Sequence, residues 1–119
     1  KQRTVWGKMH EVLLAGHDAA KPGEPVSEIC RSQLAKARTL GLDMSSWTAR
    51  RFGHGSGIHT TEPPYVSLED DTVVEPNMVI HLEPGLIGVD GIYVREEMIV
   101  ITPSGCRALS RAPWELGAV

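Results

Sequence analysis

Cysteine is scarce, with only Cys30 and Cys106 in 119 residues, and the two are not arranged as a metal-binding or redox pair. Each reads as a small core hydrophobe rather than half of a disulfide, which makes a reducing cytoplasm the default compartment. A charge excess of one sign is also missing. Twelve Lys and Arg against fifteen Asp and Glu leave a formal charge of -3, scattered along the chain. That pattern gives no electrostatic footprint for nucleic acid or for an anionic membrane. Long apolar runs are absent too: MIVI at 98–101 is among the longest, far below the roughly 20 residues needed to cross a bilayer. The start Lys1-Gln2-Arg3-Thr4 does not read as a secretory signal. There is no repeat, low-complexity tract or linker. What remains, at 41% hydrophobic and 23% charged, is the composition and size of one ordinary globular domain.

Apolar residues Val5, Trp6, Met9, Val12, Leu13 and Ala20 recur mostly at three and four, which predicts a helix over Thr4 to Ala20 with one stripe facing a core. Lys21-Pro22-Gly23 stops it. A second helix is expected from Ser27, as N-cap, to near Gly41, burying Val26, Ile29, Cys30, Leu34 and Ala37. Beyond Gly41 the chain turns to short β-like runs. The expected strands are Thr48 to Phe52, Met78 to Glu83, Gly91 to Glu96, Met98 to Thr102 and Arg107 to Leu109, with Pro63-Pro64 and Glu75-Pro76-Asn77 as rigid turn or extended pieces. Pro113 to Val119 reads as a tail. Helices followed by strands imply an α+β fold, two helices packed on one face of a curved, largely antiparallel sheet.

Three groups stand in suggestive settings: His54 in GHGSG, Glu83 in HLEPGL and Glu96 in VREEMIVIT. Imidazole nitrogen and carboxylate oxygen delivered from separate rigid elements suit a divalent cation. Bland alternatives exist for each: a turn histidine, a strand-ending glutamate, and a surface glutamate paired with Arg95. His81 alternates with Glu83 and is placed to point into the same cavity. Glu69-Asp70-Asp71 reads as a solvated loop, because the other oxygen ligands of a calcium loop are missing. His10 and His17 share a helix face but read as solvated or core-edge residues.

The order GHGSG, TEPP, EPNMVIHLEPG and REEMIVITPSG, preceded by AAKPGEPVSEI, resembles the C-terminal half of the pita-bread metallohydrolases. This is the family of methionine aminopeptidase, aminopeptidase P, prolidase and creatinase, and the resemblance spans nearly the whole chain. It implies His54, Glu83 and Glu96 as metal ligands, with Glu83 also moving a proton to the leaving amine and His54 counted with it in the catalytic centre. Glu97 competes with Glu96, because a one-residue slip on a strand would exchange them. It further implies two divalent ions (Mn, Co, Zn or Fe) in the whole enzyme, activating water for attack on a peptide carbonyl. Glycines 53, 55 and 57 would then let the backbone approach substrate closely.

Two departures matter. The family's second active-site histidine would fall on Thr61, which weakens a peptidase reading, although His59 could share a face with Thr61 on an extended segment. The adjacent pair Arg95-Glu96 is closer to creatinase, which splits a non-peptide C–N bond, and makes Arg95 a substrate-binding candidate beside His59 and Thr61. The two metal-binding aspartates that precede the helices in the family have no counterpart in this chain. The 119 residues are therefore expected to be part of a catalytic domain lacking its N-terminal portion. Alone they are expected to bind metal weakly and to be inactive, while the parent would be an Xaa-Pro aminopeptidase or dipeptidase. The alternatives are a creatinase-like hydrolase or lyase acting on a small molecule, and a non-catalytic binding module of the same fold. The expected partner is a peptide or small-molecule substrate, with homodimer formation as an option.

Overall fold

The computed structural model describes residues 1–116, so the last three residues of the expected tail lie outside the described residues. Helix α1 runs Gln2–Ala19 and α2 runs Val26–Thr39, both close to the expected spans. Pro25, not Ser27, holds the N-cap position of α2, in extended backbone. Proline suits a helix entry because it lacks the N–H that a first turn leaves unpaired. Ser27 lies one residue inside, where its hydroxyl donates to Asp71 Oδ1 at 2.9 Å.

Seven strands follow: β1 Gly53–Gly55, β2 Glu62–Tyr65, β3 Val79–Leu82, β4 Gly85–Gly88, β5 Gly91–Val94, β6 Glu97–Thr102 and β7 Gly105–Ala108. Five make an antiparallel sheet in the order β2-β1-β3-β6-β7, and β4-β5 form a separate hairpin. The expected strand at Thr48 to Phe52 is mostly a turn, closed by Trp47 Nε1–H donating to the Arg51 carbonyl at 3.0 Å, with Arg50 at φ 57°. The Pro-Pro run, read as a turn or extended piece, is strand β2. It lies at the sheet edge, where proline's missing N–H costs no ladder bond. β4 was not expected, because glycines at both of its ends hide it in the sequence.

Burial alternates strictly along the central strands. Ile80 and Leu82 of β3 and Ile99 and Ile101 of β6 are buried, while His81, Met98 and Val100 are partly open. The buried set joins Met9, Val12 and Leu13 of α1 and Ile29 of α2 in one core. Cys30 belongs to it and Cys106 packs against it; both are free thiols, which burial pushes up to about 11. The Glu69-Asp70-Asp71 loop is structural. Asp70 accepts the Tyr65 and Thr72 amides at 2.7 and 2.9 Å, and the adjoining backbone bonds to the start of α2 through Val26 N–H to the Thr72 carbonyl.

Candidate metal centre

Strand register decides which side chains can meet. β1 pairs β3 with His54 opposite His81, and β3 pairs β6 with His81 opposite Met98 and Leu82 opposite Glu97. Side chains directly opposite one another share a face, and successive ones alternate. His54, His81 and Met98 therefore share one face, and the same alternation carries Glu83 and Glu96 onto it. Glu97 falls in the row of Ile99 and Ile101, on the face packed against the helices.

The distances agree. His54 Nε2 lies 3.6 Å from Glu83 Oε2, and His81 Nδ1 lies 2.7 Å from Glu96 Oε1. His54, His81 and Glu96 each offer a ligand atom within 4.8 Å of the others. His54 is buried, whereas the Glu96 side chain is half exposed. Two backbone features fix the frame. Glu83 N–H donates to the Phe52 carbonyl at 2.8 Å, continuing the pairing past the end of β3, and a register shift at His54/Gly55 bends β1 where its histidine emerges. Such bulges re-aim side chains next to sites.

The glycines around His54 have a different reason from the one the sequence suggests. A Cβ on Gly53 would collide with the His81 carbonyl, and one on Gly55 with the Pro63 carbonyl. They let β1 fit between β3 and β2; Gly57, in turn, abuts the Glu62 carboxylate.

The donor set fits a divalent cation. His54 Nδ1 lies 2.9 Å from the Gly55 carbonyl, which can only accept, so Nδ1 carries the proton. In the neutral ring this leaves a lone pair on Nε2, facing the Glu83 carboxylate, itself only an acceptor when ionised. With that ring neutral, Nε2 and the carboxylate are two acceptors 3.6 Å apart, an arrangement that a cation completes.

Of the residues singled out by sequence, His54, Glu83 and Glu96 are brought together. Arg95 is not. Its guanidinium donates to His10 Nδ1 at 3.0 Å and to the Trp114 carbonyl at 2.9 Å, and lies 4.4 Å from the Trp6 ring centroid. That docks Trp114 and turns Arg95 toward α1. Because Arg95 can only donate, His10 accepts at Nδ1; burial and then the Arg95 charge hold the His10 pKa below its ordinary value. His59 and Thr61 lie in a bend rather than an extended segment, His59 exposed and Thr61 half-buried, and His59 N–H donates to Glu62 Oε2 at 3.2 Å. The residue underweighted from sequence is His81. Its alternation with Glu83 was visible, but its contact with Glu96 depends on the β3–β6 register.

Metallopeptidase family M24 matches residues 1–103. An Xaa-Pro dipeptidase from Pyrococcus furiosus is 30% identical over 118 residues, covering 98% of this chain and 33% of that protein. The solved structure of prolidase from Pyrococcus furiosus superposes with a TM-score of 0.84 at 28% identity, over 94% of this chain and 33% of that one. X-Pro aminopeptidase from Thermotoga maritima, at 24% identity, shares the fold with a TM-score of 0.89, over 99% of this chain and 33% of that one. The chain thus spans about a third of the length of these relatives. Two helices on an antiparallel sheet, in the order that carries His54, Glu83 and Glu96 to one face, are the pita-bread arrangement, and the chain belongs to metallopeptidase family M24.

Proposed function

We propose that the complete protein containing this chain is a metal-dependent peptidase acting on Xaa-Pro peptides, and that His54, Glu83 and Glu96 are this segment's share of its metal ligands. The observation that supports this most is His54 Nε2 facing Glu83 Oε2 at 3.6 Å on the sheet face that also presents Glu96. Two further carboxylates from a preceding segment would complete a site for two ions. When bound, such ions supply Lewis acidity, lowering the pKa of water and polarising a carbonyl oxygen. The chain's own residues do the rest. The Gly55 carbonyl holds His54 in the tautomer that exposes Nε2, the buried imidazole would keep bulk water from one side, and Glu83, one-quarter exposed, would carry a proton to the leaving amine.

Hydrolysis of Xaa-Pro dipeptides by the purified complete protein, abolished by a chelator and restored by Mn²⁺, Co²⁺ or Zn²⁺, is the expected result. Full activity after exhaustive chelation would contradict it. A second reading is supported by Thr61, which stands in a loop instead of supplying an imidazole: the same site would serve a hydrolase or lyase of a small non-peptide substrate. Rapid cleavage of Xaa-Pro dipeptides rules that reading out.

A further inference from the structure

We infer that His81 is a positioning residue that holds Glu96 in its ligating rotamer and does not itself bind the ion; this rests on the metal reading proposed above. Proximity alone would make His81 a third ligand, since His54, His81 and Glu96 fall within 4.8 Å of one another. The stacking of the two rings argues against that. A cation held by an imidazole lies along a nitrogen lone pair, in the plane of the ring. The His54 and His81 rings are stacked, with centroids 4.9 Å apart and planes only 14° from parallel. Two such planes share no point near both rings, so one ion cannot lie in the plane of each.

What His81 does instead is visible at its other contacts. Its Nδ1 is 2.7 Å from Glu96 Oε1, a short charge-assisted distance, and an ionised carboxylate can only accept. Among the described residues this is the hydrogen bond found for the Glu96 side chain. Glu96 lies outside the regular strand, just before β6, and is half exposed, so without that bond several rotamers are open to it. Stacking on buried His54 anchors the His81 ring, and the hydrogen bond passes that order to Glu96. A carboxylate oriented by an imidazole leaves its second oxygen directed at the cation. Hydrogen bonds of this kind to a metal ligand are worth about 10–100-fold in affinity.

The test is Co²⁺ titration of the complete, metal-free protein, followed by calorimetry and by the visible absorption of the bound ion. Variants His81→Ala, His81→Phe and His81→Asn are compared with wild type. Phenylalanine keeps a stacking ring without the N–H, and guards against a loss caused by misfolding. Asparagine places an N–H near the Nδ1 position. Expected are wild-type stoichiometry and band shape in all three, affinity lowered about 10–100-fold in the alanine and phenylalanine variants, and most of that loss recovered with asparagine. Wild-type affinity in His81→Phe overturns the inference. So does the loss of one bound ion, with an altered spectrum, that asparagine fails to restore, since that is the behaviour of a ligand. A wild-type protein that takes up no Co²⁺ overturns the metal reading itself, and this inference with it.

Discussion

The two faces of the central strands are built from neighbouring residues with opposite tasks. Toward the helices, Ile80, Leu82, Ile99 and Ile101 form a closed apolar layer, with Arg95 and Glu97 buried beside α1. On the other face, His54, Glu83 and Glu96 present acceptors, His81 donates to Glu96, and among the described residues no Lys or Arg pairs with them. Arg95-Glu96-Glu97 shows the rule at its sharpest: three consecutive charged residues, of which only the middle one reaches the site. The apolar face supplies the core, and the polar face gathers the residues proposed above as metal ligands.

This contrast can be broken by exchanging the faces' roles. The largest effect is expected from Glu96→Ala in the complete protein, which should lose more activity and metal affinity than the roughly 10–100-fold typical of removing a ligand's hydrogen-bond partner. As the side chain is half exposed, its unfolding free energy should move by no more than about 0.5 kcal/mol. Ile99→Ala should do the reverse, costing about 2–5 kcal/mol in denaturant unfolding through a core cavity, while the folded fraction keeps its metal affinity. Glu97→Gln sharpens the comparison further. It lies one residue from Glu96, yet metal affinity should stay within the roughly 0.5 kcal/mol of an uncoupled site.

A smaller effect comes from the buried contact on the helix side. His10 is held below its ordinary pKa by burial and by Arg95, so the unfolded chain binds the proton more readily than the folded one. Its stability contribution is complete above about pH 6.5 and falls as the pH drops below that. Unfolding measured from pH 7.5 to 5 should show a decline in wild type that is reduced in His10→Gln. A separate chemical test lies away from both faces' roles: the Cys106 thiol, raised from 9.0 to about 11, should react with iodoacetamide at pH 8 about 100-fold more slowly than an ordinary thiol.

Much of this was legible in the chain. The helices follow from apolar residues three and four apart, and the three residues proposed as ligands, which the structure brings to one face, from motifs whose order carries the family. The choice between Glu96 and Glu97 was not legible, because it depends on β3 pairing β6 with Leu82 opposite Glu97, a relation between segments 15 residues apart. The contacts of Arg95 were not legible for a related reason. Its partners Trp6 and His10 are about 85 positions away, and no local pattern announces them. The β2 strand was hidden by prolines that only an edge position tolerates.

The most direct test of the two-faced strand is an anomalous difference map from crystals of the complete protein loaded with Zn²⁺. Density is predicted at about 2.0–2.2 Å from His54 Nε2 and from carboxylate oxygens of Glu83 and Glu96, with Glu97 still turned to α1. Density bound by Glu97, or an ion that leaves His54 free, would contradict the account.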